Sequence, residues 1–384
     1  MANPQENALH YPFGDSLPAP GTTLDVAPGV RWLRMGLPFA LDHVNLWLLR
    51  DHDEDGRDGW SIVDCGIDNA ATRAHWEQIF QHELQGLPVL RVICTHMHPD
   101  HLGLAHWLCE RWSTGGCLAA SVATQEDCRL WISSTDWHAG HLASQATTGF
   151  GGEGTALFFA RHGLTDADTL AQVRRRGNYY ANLVPQVPAR FRRLMDGMVL
   201  RIGSRDWTCI SGYGHAPEHI ALHCADIHGD TAAGVDIASC PASVLISGDM
   251  VLPRISTNVS VYDAEPEANP LPLYLNSIAR LLALPVDTRV LPSHGKPFSG
   301  LHERIEQLTT HHDVRFADVL TACAQGPKSA AELLQVIFRR MLDLHQTTFA
   351  MGEAVAHLHA LASMGRLRPA LGADGVQRYR TVAD

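Results

Sequence analysis

The sequence contains no Cys-x-x-Cys pair among its nine cysteines (65, 94, 109, 117, 128, 209, 224, 240 and 323). The odd number and scattered spacing argue against a disulfide framework or a thiolate zinc site, and fit reduced thiols in a cytoplasm. No run of about 18 apolar residues occurs, so no membrane-spanning helix is expected. Residues 1–30 lack the charged start and apolar stretch of a signal peptide; Pro4, Pro12, Pro18, Pro20 and Pro28 read instead as an extended leader. There is no internal repeat and no low-complexity tract. Excess positive charge is also missing: Asp and Glu number 41 against 30 Lys and Arg, a net charge of −11. That balance argues against a general binder of nucleic acid or of anionic membranes.

Histidine is abundant, at 23 residues in 384. Imidazole is the commonest metal ligand, so this excess points to metal chemistry. The length suits two or three domains, and 45% hydrophobic residues supply an ordinary core.

Short apolar runs at Val44–Leu49 and Trp60–Asp64 flank a polar Asp/Gly loop, as in a β-hairpin. Asp51–Gly56 imitates the start of a calcium loop, but its twelfth position is Ile62 rather than glutamate, so it reads as the hairpin loop. Residues 70–85 have a helical pattern, Val89–Cys94 reads as a buried strand, and 100–112 as one helix. From about 120 to 198 the pattern is helical and loop-like, with a Gly-rich break at Gly149–Gly154. Strands are expected again near 198–202, 206–211, 219–224, 243–247 and 288–292, giving an α/β layered body. After about 300 come three helices and a hairpin-like Gly-Ala-Asp-Gly, the outline of a winged helix. Residues 300–384 carry nine basic and nine acidic residues, so they read as a packing and dimerisation module lining the site entrance rather than a DNA reader.

The strongest motif is Thr95-His96-Met97-His98-Pro99-Asp100-His101, between a predicted strand and a predicted helix. In an extended segment His96 and His98 face the same side, while Asp100 and His101 project from the first helical turn toward a second position. Three His and one Asp suit Zn²⁺ or a related divalent ion. Three further candidates follow apolar strands and sit beside glycine: His215, Asp249 and His294. Asp64 and His219 are candidates to orient the ligands from behind.

The His-x-His-x-Asp-His signature and the three later residues, spanning 96–294, resemble the metallo-β-lactamase-fold hydrolase superfamily. The resemblance implies a four-layer αβ/βα sandwich over residues 31–299, with a helical insertion at about 120–198. It implies that His96, His98 and His215 hold one metal, that Asp100, His101 and His294 hold a second, and that Asp249 bridges them. Zinc is the expected metal, with iron or manganese also suited to these donors. Asp249 stands where one lactamase subclass has a zinc-bound cysteine, which disfavours lactam hydrolysis. His98 stands where flavodiiron proteins usually carry glutamate. The Gly-His-Ala-Pro-Glu-His variant at 214–219 and the C-terminal region resemble the branch of β-lactamase-like protein 2 and related thioesterases. The Lys and Tyr that bind glutathione in the more distant glyoxalase II do not appear after Asp249.

The function implied is hydrolysis of an ester, thioester or lactone. Two metals about 3.5–4 Å apart would share a bridging hydroxide that attacks the acyl carbon. Asp100 and Asp249 are the expected catalytic carboxylates. The alternatives are a metal-dependent nuclease or phosphodiesterase, a mononuclear iron persulfide dioxygenase, and a nucleic-acid-binding regulator. Residues 172–206 hold eight arginines and two acids, with Tyr179 and Tyr180 among them. Guanidinium forks bind carboxylate or phosphate, so Arg174, Arg175, Arg176, Tyr179 and Tyr180 are expected to select an anionic or carrier-type acyl substrate. The partners expected are therefore a small-molecule substrate and a second copy of the chain, with no membrane and no nucleic acid.

Overall fold

Strands whose two faces are both apolar need cover on both sides, and this sets the layering. A computed structural model describes residues 5–113, 128–145, 151–228 and 241–382. Parts of the expected helical insertion (120–127 and 146–150), Cys117, Cys240 and the first four residues of the leader lie outside the described residues.

The chain begins with β1 (Leu24–Ala27), β2 (Val30–Gly36), β3 (His43–His52) and β4 (Asp58–Val63), an antiparallel series. Helix α1 (Ala70–His82), capped by the Asn69 side chain, leads to β5 (Val89–Ile93), which pairs parallel to β4. Two short helices follow, α2 (Pro99–Leu102) and α3 (Ala105–Trp112), and then β6 (Arg129–Ser133). Helices α4 (Ser134–Gln145), α5 (Gly152–Arg161), α6 (Ala167–Arg175) and α7 (Tyr179–Leu183) precede β7 (Phe191–Leu194). Strands β1 to β7 form one seven-stranded sheet in chain order. The second sheet comprises β8 (Val199–Ile202), β9 (Arg205–Gly212), β10 (His219–Cys224), β11 (Val244–Gly248), β12 (Arg289–Pro292) and β13 (Phe298–Ser299), with α8 (Pro270–Arg280) between β11 and β12. The chain ends in α9 (Leu301–Ala324), α10 (Ala330–Phe338), α11 (Leu344–Ser363) and the hairpin β14 (Leu367–Leu371) and β15 (Gln377–Thr381).

Alternation along β2 and β3 divides their side chains between two cores. Trp32, Trp47 and Leu49 face the second sheet and pack with Trp207, Leu222 and Ile246. Leu33, Met35, Leu46 and Leu48 face the opposite way, onto α1 and α3. A third cluster covers the outer face of the second sheet with α8, α9 and the C-terminal helices. The result is the expected αβ/βα sandwich.

Within the extended leader, β1 pairs with β2, and His10 bridges to Ser299. Three expectations change in detail. The helix expected at 100–112 is broken at Gly103, where a Cβ would lie 2.6 Å from the carbonyl oxygens of Gly66 and Pro99. The stretch at 120–198 is not wholly helical, because β6 and β7 lie within it and extend the first sheet. The C-terminal region has the expected order of three helices and a hairpin, but shares one core with the second sheet. Among the described residues the seven cysteines are buried and unpaired, and no helix is long and apolar enough to cross a membrane.

Candidate metal centre

The segment after β5 crosses the ends of both sheets, and Asp64 anchors it. Asp64 adopts a left-handed φ of 62° at the end of β4 and turns its carboxylate inward. Oδ1 accepts from the Thr95 amide at 2.8 Å, and Oδ2 accepts from His101 Nδ1 at 2.8 Å. The Thr95 hydroxyl donates to the same carboxylate and accepts from His96 Nδ1 at 3.0 Å. One buried aspartate therefore fixes the rings of both His96 and His101.

The donor atoms form two groups. His96, His98, His215 and Asp249 have donor atoms within 4.8 Å of one another, and so do Asp100, His101 and His294. In the first group His96 Nε2 lies 2.9 Å from His98 Nδ1 and 3.2 Å from His215 Nε2, which is 3.2 Å from Asp249 Oδ2. The other Asp249 oxygen reaches the second group, 3.6 Å from His101 Nε2 and 3.4 Å from His294 Nε2. Asp100 Oδ2 stands 3.6 Å and 3.4 Å from the same two nitrogens. All seven residues expected from the sequence are thus brought together, with Asp249 between the groups.

Their outer atoms are held in place. His215 Nδ1 donates to the Asn258 carbonyl and His294 Nδ1 to the His43 carbonyl, each at 2.7 Å. These bonds leave Nε2 as the inward donor. His219 lies behind the cluster and accepts from the Asp249 amide at 3.2 Å. Gly248 makes this contact possible: its φ is +52°, and a Cβ there would lie 2.1 Å from His219 Nε2. Asp64 and His219 thus both stand behind the donor set.

The donor set fits two divalent ions. His101 Nε2 and Asp249 Oδ1 are buried without a hydrogen-bond partner, although both point into the cluster. Orphaned polar atoms of this kind are costly unless they face an ion. Burial and neighbouring imidazoles hold His96 and His98 well below the usual histidine pKa, in the neutral form that binds metal. Burial alone would also lower His101, but the carboxylates of Asp64, Asp100 and Asp249 outweigh it and raise it to about 10. Asp249 is held well below the carboxylate range: burial opposes this, and His294, His101 and His215 overcome it.

Two positioning residues were not foreseen. Asp136, at the start of α4, accepts from the Met97 amide at 2.9 Å and from the Glu218 amide at 2.6 Å. It ties the His96–His98 segment to the loop carrying His215. Burial pushes its pKa up to about 6 against the hydrogen bonds it accepts. Asn45, facing inward on β3, donates to the Pro292 and Gly295 carbonyls at 2.8 and 3.0 Å, holding the loop of His294 from the opposite sheet. Both are isolated polar residues, and only topology connects them to the site. The remaining histidine excess is partly structural: His312 and His357 lie 3.3 Å apart in the buried C-terminal core.

The donors open into a cleft of about 330 Å³. Its wall is mostly apolar, with Leu37, Phe39, Leu252, Ile255, Phe338 and Phe349 prominent. Much of it comes from α11 and the segment before it, so the C-terminal region does line the entrance. Of the five expected substrate residues, only Tyr179 faces this cleft. Tyr180 does not: it is buried, and its hydroxyl donates to the Met97 carbonyl, so it shapes the histidine loop. Arg174 pairs with Glu153 at 2.8 Å. The Arg176 guanidinium lies 4.5 Å from the Tyr179 ring centre and approaches His345 Nδ1 at 3.1 Å. Arg174, Arg175 and Arg176 border a separate surface depression that shares Tyr179 with the cleft.

Comparison with known proteins agrees with this geometry. Residues 40–124 match the metallo-beta-lactamase superfamily, and residues 316–382 match the metallo-beta-lactamase-like C-terminal domain. A beta-lactamase domain protein from Burkholderia ambifaria is 54% identical, covering 98% of this chain and 99% of that one, with a TM-score of 0.86. A metallo-beta-lactamase family protein from Thermus thermophilus is 25% identical over 93% of this chain and 100% of its own, with a TM-score of 0.67. The probable metallo-hydrolase YqjP of Bacillus subtilis is 22% identical over 335 residues, 86% of this chain and 91% of that protein. A sandwich that gathers seven donors at one edge, and 54% identity over nearly the whole length of a beta-lactamase domain protein, have one reading: the chain belongs to the metallo-β-lactamase superfamily of metal-dependent hydrolases.

Proposed function

We propose that the protein hydrolyses an ester, thioester or lactone at a dinuclear zinc centre. The observation that carries this reading is the position of Asp249, between two donor groups at the base of a small apolar cleft. His96, His98 and His215 would hold one ion, Asp100, His101 and His294 the other, and Asp249 both. Bound there, divalent ions would supply an activated water and electrophilic stabilisation of the developing oxyanion. The chain's own contribution is positional. Asp64 and Asp136 fix the histidine loop, His219 fixes Asp249, and the cleft wall excludes water from an apolar acyl group. A leaving group bearing anionic charge would lie toward Arg174, Arg175 and Arg176, across Tyr179. Among the described residues the cleft wall carries a single Arg or Lys, Arg340, whereas a phosphodiester backbone needs cations along its path.

The test is a metal-replete screen over thioesters, lactones, esters and single-stranded RNA. The expected result is about two zinc per chain, with acyl turnover lost in His98→Ala and Asp249→Ala. Cleavage of RNA without acyl turnover would overturn the reading. About one iron per chain would point to a dioxygenase instead.

A further inference from the structure

The cleft has one feature that an apolar acyl site does not need. Glu353 lies on α11 in the run Ala350-Met351-Gly352-Glu353-Ala354-Val355, all of it buried. It lines the same cleft as His215 and Asp249 and is only 8% exposed. Among the described residues, its carboxyl makes a single hydrogen bond: Asn258 Nδ2 donates to Oε2 at 3.2 Å. The Asn258 side-chain carbonyl is already occupied, accepting from the Ser260 hydroxyl at 2.7 Å. An acidic side chain in this setting is costly, whereas the neighbouring residues of α11 that face the core are apolar. Burial pushes the Glu353 pKa up to about 7. The other carboxyl oxygen of Glu353 has no hydrogen bond among the described residues and faces the cleft, so the group on a ligand that it matches is a donor.

We propose that Glu353 is a specificity-determining residue whose carboxyl accepts a hydrogen bond from a hydroxyl or amide N–H on the acyl part of the substrate. The substrate class is then a polar-substituted acyl compound rather than a plain alkanoyl one. This rests on the acyl-hydrolase reading above and narrows it. A site built around a substrate hydroxyl or N–H discriminates strongly against the analogue lacking it, because the buried acceptor is then left unpaired.

Binding of product-like ligands tests this without requiring turnover. Zinc-loaded wild type, Glu353→Gln and Glu353→Leu are titrated calorimetrically with alkanoates and with their hydroxy- and acylamino-substituted counterparts, varying the position of the substituent. In wild type, at least one substituted isomer should bind about tenfold or more tighter than its parent. Glu353→Gln keeps an acceptor and should retain most of that ratio. Glu353→Leu should bring the ratio close to one, with the parent alkanoate bound as well as before or better. A wild-type ratio near one for every isomer, or an unchanged ratio in Glu353→Leu, would overturn the proposal. An equal loss for all ligands would also overturn it, since that marks a purely structural role. Should the leucine variant fail to fold, Glu353→Ala reports the same ratio. Hydrolysis of the corresponding thioesters is followed separately. A Glu353-dependent binding preference without acyl turnover would refute the acyl-hydrolase reading and leave this site standing.

Discussion

At the scale of single residues, the ligands were legible because their chemistry is concentrated. Four donors fall within six residues of sequence, and the other three follow apolar runs beside glycine. Asp136 and Asn45 carry no such local signal. Each reads as an ordinary helix-start or strand residue, and only the fold brings it to the site. Their importance is nonetheless measurable. Asp136→Ala would leave the buried Met97 amide and the part-buried Glu218 amide unpaired, at about 1–3 kcal/mol for the first and less for the second. Zinc affinity, measured by competition with a chromophoric chelator, should fall about 10- to 100-fold. Asp136→Asn, which keeps one good acceptor, should fall between; equal affinity in all three proteins would refute the positioning role. Glu353 gives a test by pH. Its folded pKa of about 7 lies above the value of about 4.3 in an unfolded chain. Between these values the folded state holds a proton that the unfolded state has released, so its stabilising contribution is complete below about pH 4 and lost as pH rises toward 7. The urea stability of wild type relative to Glu353→Gln should therefore decline across that window, by up to about 1.4 kcal/mol per pH unit, and level off above it. Parallel curves would show that Glu353 titrates normally.

At the scale of elements, β10, β11 and β12 were readable as buried, mostly apolar runs and β8 and β9 by their alternation. Four strands of the first sheet, β1, β2, β6 and β7, were not anticipated, and arginines interrupt β2 and β7. β7 reads Phe-Arg-Arg-Leu at the sheet edge, where exposed arginines are compatible with pairing on one side only. In sequence its arginines join Arg174–Arg176 in one basic segment, whereas the structure places them on separate elements. Helix α11 was legible in part. Its role as packing that lines the site entrance was expected, but not that it also braces a ligand. Gly352 accepts from the Val261 amide at 3.1 Å, and a Cβ at this position would lie 2.7 Å from the Ser260 Cβ. The segment it touches carries Asn258, whose carbonyl orients His215. Gly352→Val should therefore cost about 1–3 kcal/mol by overpacking, and should also release zinc at lower chelator concentration than wild type does. Gly352→Ala should do so to a smaller degree. Destabilisation with zinc retention unchanged would mean that α11 only packs and does not brace the site.

At the scale of the molecule, the centre is a joint between two sheets. The His96–His101 segment extends from the first sheet; His215, Asp249 and His294 extend from the second. Asp136 and Asn45 cross the same seam with hydrogen bonds. An ion held by donors from both sides must therefore stabilise the union of the sheets, not merely a loop. Since the unfolded chain cannot present the seven donors together, metal binding adds directly to folding free energy. At free zinc about a thousandfold above the dissociation constant, the gain is about 4 kcal/mol. Calorimetry of the chelated protein should show a lower melting temperature than the zinc-loaded form, restored by adding zinc. Asp249→Ala, which removes the one side chain shared by both donor groups, should shrink that difference while leaving the chelated protein close to chelated wild type. Identical melting with and without zinc would mean that the sheets are joined by their apolar core alone and that the donors add nothing to the joint.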